Sequence, residues 1–166
     1  DGTNGEELWV YDPAAEDCRM VYDINPGSGS SSPENLLVFN GKLYFTAADG
    51  DMMSTGLGAE LWVYDPGKAI ETDINPVIVY DINTFSNGYG GTSSSDPMYL
   101  TIHNNKLYFT ANDGYGNELW EYDGKAVPPV YDNNIRMYDI NTNDATGSNP
   151  GFLTSFDGRL FFQATG

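Results

Sequence analysis

PENLLVFNGKLYF (Pro33–Phe45), PMYLTIHNNKLYF (Pro97–Phe109) and PGFLTSFDGRLFF (Pro150–Phe162) are three versions of one pattern. Each has a proline, a leucine three residues on, a two-residue turn, a basic residue and an aromatic pair at the same offsets. The turn pairs are Asn40-Gly41, Asn104-Asn105 and Asp157-Gly158, residue types that tolerate the positive φ of a type I′ turn. Flanked by β-forming runs, they predict three β-hairpins whose arms are here termed A and B.

Two further motifs keep the same order along the chain. Glu7-Leu8-Trp9-Val10-Tyr11-Asp12 returns from Glu60 and from Glu118, at spacings of 53 (60 minus 7) and 58 (118 minus 60). Tyr22-Asp23-Ile24-Asn25 returns from Tyr80 and Tyr138, 58 residues apart each time. These predict a strand C and a strand D, the latter over 20–24, 78–82 and 136–140. No segment holds a 3.6-residue period for three turns, and Gly (19) and Pro (9) punctuate the chain, so the expected class is all-β.

Strand C is apolar on both sides of its pleat, with Leu8 and Val10 facing one way and Trp9 and Tyr11 the other. A small sheet covered on both faces is what a blade of a β-propeller experiences, so the expected architecture is propeller-like, built of four-stranded antiparallel repeats. A parallel β-helix is the rival arrangement. The single repeat domain, 1–166, divides into a CD half-blade (1–32), two blades (33–86 and 87–146) and an AB half-blade (147–166). Half-blades would leave open strand edges, which proteins avoid. The expectation is that AB meets CD, either between copies or within a longer polypeptide of which this chain, beginning at Asp1, is a piece.

The formal net charge is −17, from 24 acidic and 7 basic side chains, which disfavours nucleic acid and anionic membrane as partners. No apolar run approaches a membrane span. With one histidine (His103) and one cysteine (Cys18), nucleophilic triads and histidine-rich metal sites lack materials, and the reading is non-enzymatic, with a carboxylate-only glycosidase, whose paired acids need no motif, as the minor alternative. His103 fills the slot of Phe39 and Phe156 and is read as an aromatic substitute.

Each strand C follows an acidic, glycine-rich loop and opens with glutamate: Asp1 with Glu7, Asp49 and Asp51 with Glu60, Asp113 with Glu118. Carboxylates beside turn carbonyls suit calcium, and these residues are the candidate ligands; the competing reading is Asp-Gly turns with Glu accepting backbone N–H bonds. Asp23, Asp81 and Asp139 are read mainly as turn caps. Trp9, Trp62 and Trp120 are read as packing residues, leaving Phe85, Tyr89 and Tyr115 as candidate contacts to a glycan or a cell-surface protein. The serine-rich stretches 26–33 and 87–97 read as solvated linkers and as acceptors for O-linked sugars.

The Glu-Leu-Trp-X-X-Asp segments, with Asp-Ile-Asn-Pro-Gly-Ser and Gly-Lys-Leu-Tyr-Phe-Thr-Ala, resemble the ELWxxDGT repeats of large bacterial secreted and surface proteins. The resemblance covers nearly the whole chain. It implies a propeller-like fold, export and tandem arrays, and no particular chemistry. The chain departs from the pattern where Asp12-Pro13 and Asp65-Pro66 stand in place of Asp-Gly-Thr, and where Asp123-Gly124 is followed by Lys125. The expected function is an extracellular, self-associating structural module stabilised by calcium, with an adhesion module that binds through its loops as the alternative.

Overall fold

A computed structural model describes residues 3–50, 56–68, 75–125, 134–142 and 146–166. Among the described residues there are twelve strands and no helix. The strands are β1 (Leu8–Asp12), β2 (Asp17–Tyr22), β3 (Glu34–Phe39), β4 (Lys42–Ala48), β5 (Ala59–Tyr64), β6 (Val77–Tyr80), β7 (Met98–His103), β8 (Lys106–Asn112), β9 (Asn117–Tyr122), β10 (Ile135–Tyr138), β11 (Gly151–Phe156) and β12 (Arg159–Gln163). They form antiparallel sheets of two (β1-β2), four (β3-β4-β5-β6), four (β7-β8-β9-β10) and two strands (β11-β12). Among the described residues no ladder joins β12 to β1, and the sheets form no closed ring there.

The three hairpins form as the turn residues dictate. Asn40 and Gly41 take φ of 49° and 74°, Asn104 and Asn105 of 47° and 57°, and Asp157 and Gly158 of 48° and 68°. Positive φ at both central residues matches the twist of the strands on either side. Each first arm also carries a bulge: the register slips between Glu34 and Leu37, Met98 and Thr101, and Gly151 and Thr154. The bulge residues Asn35, Tyr99 and Phe152 lie at φ of 55°, 56° and 58°. Two of these are bulky aromatics in a region such side chains rarely occupy, so the surroundings must enforce the conformation.

Strand D ends earlier than the motif suggests. β2, β6 and β10 stop at Tyr22, Tyr80 and Tyr138, and the following Asp-Ile-Asn segment turns away. The cause is visible in two repeats, where the amides of Ile24 and Ile82 leave the ladder to bond the carboxylates of Glu7 and Glu60.

The core lies between sheets. Tyr44, Leu61, Val63 and Val79 of the first four-stranded sheet pack on Leu107, Phe109, Trp120, Tyr122 and Ile135 of the second. On its other side the first sheet receives Leu8, Val21 and Ile24 of the β1-β2 unit against Phe45, Ala47 and Trp62. The third strand of each large sheet is thus covered on both faces, as its two-sided apolarity requires. Threonines bolt one sheet to the next: Thr46 Oγ1 donates to Pro97 O at 2.5 Å and Thr110 Oγ1 to Pro150 O at 2.7 Å.

The turn geometry gives a test. Asn105→Val places a β-branched residue at φ 57° and is expected to cost about 1–2 kcal/mol by urea unfolding, whereas Asn105→Gly should be neutral or stabilising.

Candidate functional site

Three buried carboxylates recur at the start of strand C. Glu60 is fully buried; its Oε1 accepts from Ser95 N at 2.9 Å, and its Oε2 accepts from Ile82 N at 3.2 Å and from Ser95 Oγ. Glu7 repeats the set with Ser31 N (3.1 Å), Ile24 N (3.0 Å) and Ser31 Oγ (2.5 Å). Glu118 accepts from Ser148 N at 2.9 Å and Ser148 Oγ at 2.5 Å. Hydrogen bonds from several donors are what let an ionisable group sit inside a small domain. Each clamp joins the strand C of one sheet to the segment that leads into strand A of the next.

Ser31, Ser95 and Ser148 are therefore structural partners, buried to 1%, 0% and 0% exposure. Two of them sit in the stretches expected to be solvated linkers and sugar acceptors, and at those two serines the expectation is corrected: the hydroxyls are spent on carboxylates. The overlooked signal is positional. Each serine stands two residues before the proline that opens strand A, in Ser31-Ser32-Pro33, Ser95-Asp96-Pro97 and Ser148-Asn149-Pro150. The intervening residue takes φ of 46°, 46° and 47°, which turns the chain into the bulge.

Of the candidate calcium ligands, Asp1 and Asp51 lie outside the described residues. Glu7, Glu60 and Glu118 are engaged in the clamps. Asp49 Oδ1 accepts from Leu57 N at 2.6 Å and Asp113 Oδ1 from Tyr115 N at 2.9 Å. Among the described residues no three His, Cys, Asp or Glu side chains gather as a metal site. The strand D aspartates differ from these: Oδ1 of Asp23 and Oδ1 of Asp81, at one repeat position, are buried atoms without a hydrogen-bond partner. Burial pushes the Asp81 carboxyl above the usual range, against the bond from Thr92, with Asp49 adding repulsion.

The candidate contact residues Phe85 and Tyr115 come together, their rings 5.1 Å apart and edge-on at 75°. Phe85 belongs to the connection between β6 and β7, Tyr115 to that between β8 and β9. The approach depends on Gly114 at φ 99°, where a Cβ would fall 2.1 Å from Phe85 Cδ2. Tyr89 is exposed in a loop braced by Asn87 Oδ1, which accepts from Tyr89 N at 2.8 Å and Gly91 N at 3.1 Å.

His103 is buried beside Tyr108, as an aromatic substitute should be, with Nδ1 2.9 Å from Ser155 Oγ. Glu121 stands where the other copies have Val10 and Val63. It bonds Lys106 Nζ (2.5 Å), Tyr108 Oη (2.5 Å) and Tyr138 Oη (2.9 Å). Burial opposes its ionisation, yet these three donors hold its carboxyl below the usual range.

The tryptophans divide. Trp62 and Trp120 are each 8% exposed and donate Nε1–H to Ala47 O (2.8 Å) and Ala111 O (3.1 Å) of the neighbouring strand B. Trp9 is 45% exposed, with Tyr11 beside it at 60%, because no strand B lies alongside β1. On the matching free edge, Phe161 of β12 is 50% exposed.

Comparisons with known protein families, curated proteins and solved structures found no match.

The clamp carries two expectations. Ser95→Ala leaves Glu60 Oε2 without its hydroxyl partner and should cost about 1–3 kcal/mol by chemical denaturation. Burial pushes Glu60 up to about 8, against the opposing bonds from Ser95 and Ile82. Its folded value lies above the unfolded one of 4.5, so the folded state holds the proton longer. The linked stability is complete below about pH 4.5 and is lost as pH rises through about 8. Glu60→Gln should remove that part of the pH dependence, measured as the difference between the two unfolding profiles.

Proposed function

We propose that the chain is a non-catalytic, extracellular structural module that self-associates through complementary half-blades of a propeller-like assembly. One observation carries the reading. β1 and β12 each end a two-stranded sheet with a free edge and exposed aromatics, while strands at the same repeat positions, β5 and β4 or β9 and β8, lie paired inside four-stranded sheets. Free edges of this kind invite strand addition. Covering them removes apolar area from water without disturbing the two inner sheets.

A surface or extracellular address belongs to the same reading and draws on the resemblance to secreted repeats and the acidic composition, with its net charge of −17. Calcium stabilisation is supported by the unpartnered Oδ1 atoms of Asp23 and Asp81, which offer oxygen ligands at one repeat position. The alternative is an adhesion module for a glycan or protein, favoured by the exposed Phe85–Tyr115 pair on neighbouring loops.

Sedimentation of the purified chain should show species larger than one chain at micromolar concentration: two copies for a closed ring, a continuing series for a filament. Phe161→Lys, a change at an exposed edge residue, should return the chain to a folded monomer whose melting temperature no longer rises with protein concentration. A wild-type chain that stays monomeric and binds sugar would reject the assembly. Excess EDTA should lower the melting temperature, and an unchanged value would reject a stabilising ion.

A further inference from the structure

We infer that the free edge of β12 takes the β1 strand of a second copy in one fixed register, pairing Leu160 with Tyr11, Phe161 with Val10, Phe162 with Trp9 and Gln163 with Leu8. The inference rests on the assembly reading above and specifies how the two copies meet.

The register comes from the two seams the chain already contains. In the first, Leu43, Tyr44, Phe45 and Thr46 lie opposite Tyr64, Val63, Trp62 and Leu61. In the second, Leu107, Tyr108, Phe109 and Thr110 lie opposite Tyr122, Glu121, Trp120 and Leu119. Both seams are closed in the same way, by the indole N–H of the strand C tryptophan donating to an alanine carbonyl, Ala47 or Ala111. The third set of parts is present but separated: Trp9 on β1, and Ala164 at the matching offset just beyond β12.

Two features of the repeat are complete in all three copies. The glutamate–serine clamps form three times. The amides of Ala48, Asn112 and Thr165 donate to Ser31 O, Ser95 O and Ser148 O. The strand B to strand C ladder with its indole bond, by contrast, occurs twice, and the third would join β12 to a β1 strand.

Charge matches at the same seam. In the first seam Lys42 Nζ lies 3.0 Å from Asp65 Oδ2, while Asp65 Oδ1 accepts from Gly67 N. Arg159 holds the lysine position on β12 and Asp12 the aspartate position on β1, with Asp12 Oδ1 already accepting from Ala14 N at 2.8 Å. The remaining carboxylate oxygen of Asp12 is the counterpart of the one that Lys42 holds.

The added strand would also finish a face of the second large sheet. Tyr122 packs edge-on to Tyr44 of the preceding sheet at 6.0 Å. Tyr11 of the second copy takes the equivalent place over Tyr108, beside the Glu121, Lys106 and Tyr138 cluster. In the inferred seam the second copy contributes Trp9, Tyr11 and Asp12 beside β12.

The test uses paired cysteines in a Cys18→Ser background, Cys18 being exposed and free. Directly opposed residues have Cα atoms within disulfide range and residues two positions out of step do not. Mild oxidation of V10C/F161C should give an inter-chain disulfide in at least ten-fold greater yield than V10C/R159C. Unsubstituted protein supplies a second readout: Trp9, but not Trp62 or Trp120, should lose acrylamide quenching as concentration rises. The quenchable fraction should be absent from Trp9→Phe. If the copies associate but the out-of-step pair links as well, or neither pair links, the register is overturned and the assembly reading stands. If the chain is monomeric and unlinked at every concentration, both fall.

Discussion

The buried carboxylate that opens strand C is the constraint on which the rest of the structure depends. Glu7, Glu60 and Glu118 are almost wholly withdrawn from water, and an ionisable group there is tolerable only while a serine and nearby amides saturate it. The serine is contributed by the segment entering the next sheet. One hydrogen-bonding requirement therefore fixes where a sheet ends, where the following proline sits and how the next hairpin is aimed. The positive φ of Ser32, Asp96 and Asn149, and of the bulge residues beyond the prolines, follows from that anchoring.

Around this joint the repeat tolerates substitution wherever the replacement carries its own partners. Glu121 occupies a valine position, at the cost of a charge between sheets, and is held by a lysine and two tyrosine hydroxyls. His103 occupies a phenylalanine position and finds Ser155 and Asn104. The loops answer to fewer constraints, so Phe85 and Tyr115 can meet on the surface with only Gly114 making room. This division between a locked joint and free loops is what a scaffold with individual surfaces needs.

Edges and charge work against each other in the proposed assembly. The aromatic edges of β1 and β12 favour association, while a net charge of −17 on every copy opposes unselective contact. A seam with an Arg159 opposite an Asp12 places one of the few basic side chains where it offsets that repulsion. Sheet extension confined to a single register is then distinguished from aggregation by matched side chains rather than by backbone pairing alone.

The hairpins were legible because their information is local: Asn40-Gly41 and its equivalents select positive φ whatever surrounds them. The repeat order and the two-sided apolarity of strand C announced sheets covered on both faces, as β5 and β9 are. The serine partners were not legible as partners, because a serine-rich stretch looks alike whether its hydroxyls face water or a carboxylate 24 or more residues away. Trp9 shows the same limit from the other side, since its sequence context equals that of Trp62 and Trp120 while its exposure does not. By itself, then, the sequence determined the strands, the turns and their threefold order, which depend on neighbours along the chain. Only the tertiary structure decided which polar groups are buried and which of the like tryptophans is covered, because burial is a property of what stands alongside in space.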